Sequence, residues 1–192
     1  MNSGCRQTTN SPRSLRCLRC LFADVPVAVI ASGSYAAKME NDRLAIFEGP
    51  TGALHLEVEG YQFPDVLNDE WDSNWLIITA DAVLDGKSWR FRDPCLTTFE
   101  LQRLAGWLDQ VAAGTAEQNF CGFTEPNLDF ERVSDVSIRI GLSLEALPPW
   151  ANQGGDLGDV GFEVPIGEQL KTAAASLRRF LSKFPVRATG RC

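Results

Sequence analysis

Apolar and polar residues alternate at several places along the chain, and each alternation predicts a strand with one face buried. Across residues 54–59, Leu54, Leu56 and Val58 alternate with His55, Glu57 and Glu59. Across residues 74–84 the even positions Leu76, Ile78, Ala80, Ala82 and Leu84 are all apolar, while the odd ones include Thr79 and Asp81. Asp85-Gly86 follows, a pair that readily takes the positive φ angles of a two-residue hairpin turn. Such a turn sets Ala82 opposite Trp89 and Ala80 opposite Phe91, small residues against large ones on one buried face. Turn and alternation therefore agree on the register.

The period then changes. Thr97 and Glu100 form a T-x-x-E capping box, in which each side chain satisfies an orphan amide at a helix start. Leu101, Leu104, Ala105, Leu108, Val111 and Ala112 recur at helical spacing, and Gly114 is placed to end the helix. Trp107 falls off that stripe, so it is expected to cover a sheet edge or mark a contact surface. Strands resume near residues 119–123 and 128–133. In residues 136–144, Val136, Ile138, Ile140, Leu142 and Leu144 are expected inward. A two-residue turn at Ser134-Asp135 would set Phe130 opposite Arg139, so a three-residue connection or a bulge is expected, pairing Phe130 with Ile140. The Gly-rich run 152–161 does not have the spacing of a dinucleotide fingerprint. A short strand at 160–164 leads to a last helix with the stripe Leu170, Ala173, Ala174, Leu177, Phe180, Leu181 and Phe184, stopped by Pro185. Arg178, Arg179 and Lys183 complement its dipole. About seven strands joined mostly by hairpins, with two amphipathic helices, predict an α+β fold built on an antiparallel sheet or sandwich.

Composition adds an asymmetry. At 44% hydrophobic and 22% charged the chain is globular in character, and no apolar run is long enough to predict a spanning helix. The net charge of −7 divides into +4 over residues 1–38 and −11 over residues 39–192. An acidic body repels phosphates, which argues against nucleic acid; it suits a basic partner, and it also serves solubility. Residues 1–38 are read as a tail outside a single α+β domain at 39–192. Three readings of that tail stay open: a start misassigned ahead of Met39, a signal or transit segment, or a disordered extension. Cys17 and Cys20 form a C-x-x-C without a second pair, a weak zinc half-site. Cys95 and Cys121 lie among apolar residues and are expected as buried free thiols, so a cytoplasmic location is the default.

Catalytic chemistry finds little support. His55 is the only histidine, and it stands beside carboxylates on a polar strand face, which leaves nucleophilic catalysis without a base partner. Asp69, Glu70 and Asp72 lack the spacing of a calcium loop. A protein that is not an enzyme and holds no cofactor is the expectation. The candidate surface is acidic instead: from Glu40 to Asp72 there are nine carboxylates against one arginine, Arg43. Glu57, Glu59, Asp65, Asp69, Glu70 and Asp72, with Trp71 among them, form the expected partner-binding set, because aromatic anchors ringed by charge resemble interface hot spots. Phe63 and Trp75 are expected in the core, Trp71 at the surface.

The run GYQFPD, then WDSNWL, then SWRFRDPCLTTFEL-x-x-L-x-x-WL, over residues 60–108, resembles the WapI family of bacterial immunity proteins, which are encoded beside polymorphic toxins. The resemblance implies a cytoplasmic protein that binds a toxin's C-terminal domain and blocks it, a nuclease in the case of the family's namesake. No contact residues are carried over from it. The alternative from a different class is a small-ligand or carbohydrate-binding β module, with Trp71, Trp75 and Trp89 stacking on a sugar.

Overall fold

The computed structural model describes residues 44–151 and 160–187. The basic tail with its C-x-x-C, the Gly-rich stretch 152–159 and the terminal Cys192 lie outside the described residues.

Among the described residues, eight strands form two four-stranded antiparallel meanders. The first sheet contains β1 (Ala45–Glu48), β2 (Gly52–Tyr61), β3 (Trp75–Leu84) and β4 (Lys87–Thr97). The second contains β5 (Phe120–Cys121), β6 (Leu128–Arg132), β7 (Ser137–Leu142) and β8 (Val160–Pro165). Helix α1 (Thr98–Ala113) joins the sheets and α2 (Glu168–Lys183) follows β8. The helices pack on each other, and α2 lies along β1.

Local rules place most of these elements. Asp85 and Gly86 take φ of 50° and 77°, and Ala82 pairs with Trp89 and Ala80 with Phe91, as the turn requires. β4 runs directly into α1: Thr97 ends the strand and caps the helix, its hydroxyl accepting from the Glu100 N–H, while the Glu100 carboxylate accepts from the Thr97 N–H. Gly114, at φ 69°, ends the helix. Pro94, which has no N–H to donate, sits in β4 where the register slips against β3. Phe130 does pair with Ile140, through a connection that closes with the Val133 N–H on the Ser137 carbonyl. Ser134 supports that turn, its hydroxyl accepting from the N–H groups of Val136 and Ser137.

The inner faces of both sheets and the helix stripes form one core. Phe130 stands at its centre, its ring 5.4 Å from Phe47 of the first sheet, 6.5 Å from Trp107 of α1 and 6.1 Å from Phe123. Trp107 is thus buried, with its indole N–H on the Gln118 carbonyl. The β1–β2 turn meets β8 where Gly49 and Gly52 leave no room for a side chain: a Cβ at Gly49 would fall on the Glu163 carbonyl, and one at Gly52 on the Phe162 ring.

Two inward expectations fail at the ends of β7. Val136 is 72% exposed in the turn before it, and Leu144 is 47% exposed at φ 49° after it. Val136 lies in the turn before Ser137 and Leu144 takes a left-handed φ after β7, so neither continues the strand's alternation.

Asp93 of β4 offers a pH test. Partial burial, then the carboxylates of Glu145 and Glu125, hold its carboxyl above the ordinary range. A raised folded pKa means that the ionised form costs stability, a cost present above that pKa and absent below the ordinary aspartate value of about 4. Asp93→Asn is expected to raise stability at neutral pH, with the gain over wild type shrinking as pH falls into that range. Denaturant midpoints of both proteins across pH 3 to 7, roughly the carboxylate window, check this.

Candidate functional site

β2 and β3 are joined by residues 62–74, which belong to neither sheet but are held tightly. The loop begins where the Gln62 N–H meets the Trp75 carbonyl at 2.8 Å. Asp69 organises the far limb: its Oδ1 accepts from the N–H groups of Trp71 (2.8 Å) and Asp72 (2.7 Å). The Ser73 hydroxyl donates to the Asp69 carbonyl, and the Asn74 N–H reaches the Trp71 carbonyl at 2.9 Å, forming the single 3-10 turn Asp72–Asn74.

Asn74 is fully buried and spends its whole side chain on fastening. Its Nδ2 donates to the carbonyls of Glu70 (2.8 Å) and Arg187 (2.6 Å), and its Oδ1 accepts from the Thr98 hydroxyl (2.6 Å) and the Arg187 N–H (2.8 Å). Arg187, beyond α2, continues the brace. Its Nη1 donates to the carbonyls of Pro64 (2.9 Å) and Val66 (3.4 Å), and its guanidinium carbon lies 3.4 Å from the centre of the Tyr61 ring. The Tyr61 hydroxyl donates to the Pro185 carbonyl, its ring meets Phe184 edge-on at 5.6 Å, and burial pushes its phenol pKa up.

What the loop presents is apolar and acidic together. Phe63 (38% exposed), Leu67 (58%) and Trp71 (56%) stand out from it, interleaved with exposed Asp65, Asp69, Glu70 and Asp72. No basic side chain of the described residues lies within ion-pair distance of Asp65, Glu70 or Asp72, whereas Asp69 is partly spent on its own turn. Trp71 is exposed as expected and Trp75 is half-buried. Phe63 is not in the core. β2 slips register between Val58 and Gly60 and ends at Tyr61, so no sheet face exists for Phe63 to enter.

Glu57 and Glu59 stand apart from this group, on the outer face of β2. Glu59 is gripped at both oxygens by Arg92 (2.7 and 2.9 Å), which holds its carboxyl below the ordinary range. Glu57 is exposed on the same face. The neighbouring Asp81–Arg90 pair is likewise bidentate. The seven expected residues therefore fall into a loop of five, Asp65, Asp69, Glu70, Trp71 and Asp72, and a strand face of two. Sequence reasoning missed Asn74, Tyr61 and Arg187, which position the loop. Arg187 lies more than a hundred residues from its partners, and no local pattern could announce it.

His55 Nε2 lies 3.6 Å from Glu48 and makes no hydrogen bond. Cys95 and Cys121 are buried free thiols whose pKa burial raises, which suppresses thiolate chemistry. Among the described residues no three His, Cys, Asp or Glu side chains cluster as metal ligands, and no helix is long and apolar enough to cross a membrane. Two grooves of about 650 and 670 Å³ run beside α1 and share Arg103, Trp107 and Gln118; neither is lined by residues 62–74. Of the three tryptophans that could have stacked on a sugar, Trp89 is buried, with its indole N–H on the Ala146 carbonyl at 3.0 Å.

Comparison with known proteins adds one match. No curated protein and no solved structure matches the chain. A family model described as the immunity protein WapI-like family matches residues 45–185, which run from the first residue of β1 to the proline that follows α2. With nearly three quarters of its length matched, from the first sheet through the last helix, the chain belongs to the WapI-like immunity protein family.

Proposed function

We propose that this protein neutralises a toxin by binding its catalytic domain non-covalently, and that residues 62–74 make the central contact. Family membership supports the toxin-neutralising role. The observation that carries the choice of surface is the composition of the fastened loop. Three large exposed apolar side chains, Phe63, Leu67 and Trp71, sit among carboxylates that no basic group of the described residues answers. An apolar centre that desolvates on contact, ringed by charge, is how interfaces combine affinity with fast encounter. The sign of the charge calls for a basic partner face, such as the phosphate-binding cleft of a nuclease. Glu59 contributes little to that field, because Arg92 already answers it. A sugar-stacking surface is disfavoured by the burial of Trp89.

The test is the triple variant Asp65→Asn, Glu70→Gln, Asp72→Asn, with Asp69 kept because it builds the turn. Against the toxin domain encoded beside this chain, association is expected to slow about tenfold at low salt, with the gap closing as salt screens the encounter. The denaturation midpoint should stay at the wild-type value. An association rate equal to wild type at low salt would show that the acidic loop does not guide the partner.

A further inference from the structure

We infer that the segment after the last helix, residues 184–187, is a brace that sets the shape of the contact loop, and that Arg187 is its positioning residue. The inference rests on residues 62–74 being the contact surface.

The brace touches the loop at three separate places. At the base, Tyr61 takes the Arg187 guanidinium on its ring face and donates to the Pro185 carbonyl. On the outgoing limb, Pro64 and Val66 accept from Arg187 Nη1. On the returning limb, Asn74 exchanges two hydrogen bonds with the Arg187 backbone while also holding Glu70 and the start of α1 at Thr98. One residue thus ties both limbs together, and leaves the stretch between Val66 and Asn74 to carry Leu67, Trp71 and the free carboxylates outward.

The chemistry is selective for arginine. A planar guanidinium can lie flat on a phenol ring and still aim its edge N–H groups at two carbonyls, which a lysine head cannot do. The acceptors are backbone carbonyls, so the brace neutralises none of the loop's carboxylates. Their charge stays available to a partner. The loop has thirteen residues and no ladder bonds of its own between Gln62 and Asn74. Unbraced, it would sample many shapes, and a partner would have to supply the ordering free energy on binding. Braced, that cost is met within the fold.

The division of labour is specific. The Arg187 backbone bonds to Asn74 belong to the core edge, and its side chain serves the loop. Arg187→Ala keeps the former and removes the latter. In the full chain, amide hydrogen exchange across residues 62–73 is expected to accelerate about tenfold in Arg187→Ala, with the amides of both sheets unchanged. Ethylguanidinium added to that variant is expected to restore the protection, and Arg187→Lys to fall between. Equilibrium affinity for the neighbouring toxin domain should drop about tenfold with the loop's protection.

Loop exchange in Arg187→Ala equal to wild type would overturn the inference. So would acceleration spread evenly over both sheets, the mark of a merely structural residue. Should the alanine variant not fold, Arg187→Lys is judged by the same localisation of exchange to 62–73. Trp71→Ala separates the two readings, because it removes an exposed side chain and leaves the brace intact. Toxin binding unaffected by Trp71→Ala counts against the contact surface, whereas the exchange pattern of the Arg187 variants decides the brace on its own.

Discussion

Replacing Glu100 by alanine is expected to destabilise the protein by about 4 kcal/mol, because a buried carboxylate that serves several donors leaves all of them unpaired. Its Oε2 accepts from the Thr97 N–H at 2.9 Å and the Thr97 hydroxyl at 3.1 Å. Its Oε1 accepts from the Thr124 N–H at 2.7 Å and the Thr124 hydroxyl at 2.9 Å. The residue is only 4% exposed, so water cannot take its place. One side chain thus closes the helix start and ties α1 to the segment that links β5 to β6. Loss of a simple cap would cost about 1 kcal/mol, and the excess over that figure measures the second role. Glu100→Gln is expected to cost about half as much as alanine. Each carboxylate oxygen faces a backbone N–H, so the new NH₂ group meets a donor in either orientation. Urea denaturation of the three proteins gives the comparison. A loss below about 1 kcal/mol in Glu100→Ala would mean that the Thr124 bonds contribute nothing.

Glu100 also shows where sequence reading stops. The capping box is legible because Thr97 and Glu100 are three residues apart and the rule is local. The Thr124 bonds lie 24 residues away and are invisible until the second sheet is placed. The same boundary recurs elsewhere. The Ala82–Trp89 register and the Phe130–Ile140 pairing followed from turn length and parity, both local quantities. The α+β class followed from periods and turns. The partition of eight strands into two meanders did not, because alternation shows that a strand has a buried side without showing what covers it. Val136 and Leu144 were misplaced because alternation was carried past the two ends of β7, and Phe63 because it lies beyond the end of β2.

The proposed contact loop divides along the same line. Its aromatic and acidic composition, and the exposure of Trp71, are properties of adjacent residues. The neutralisation of Glu59 by Arg92 and the brace from Arg187 depend on chain segments 33 and more than a hundred residues away. Sequence therefore showed the loop's composition, while the fold decided which of its charges are free. Asp65, Glu70 and Asp72 remain unanswered among the described residues, and Glu59 does not.

On the proposed contact surface, Trp71→Ala is expected to weaken toxin binding by about 3 kcal/mol, roughly a hundredfold in Kd, the scale of a central aromatic hot spot. Trp71 is the largest apolar group on the loop and is 56% exposed, so a partner pocket would remove most of its remaining ring area from water. Its backbone is fixed on both sides, by the Asp69 carboxylate on its N–H and by the Asn74 N–H on its carbonyl, so the ring is offered from a rigid stem. That rigidity is what allows burial to appear as affinity instead of being spent on ordering. The change should fall on the dissociation rate, in contrast to the carboxylate variants, which act on encounter. Stability should move by less than about 0.5 kcal/mol, as for other exposed side chains. Leu67→Ala, equally exposed but smaller, should show the same pattern with a smaller loss. Dissociation rates measured side by side for wild type, Trp71→Ala and Leu67→Ala decide the matter: if the tryptophan variant releases the toxin domain no faster than wild type, the apolar centre of the interface lies on another surface.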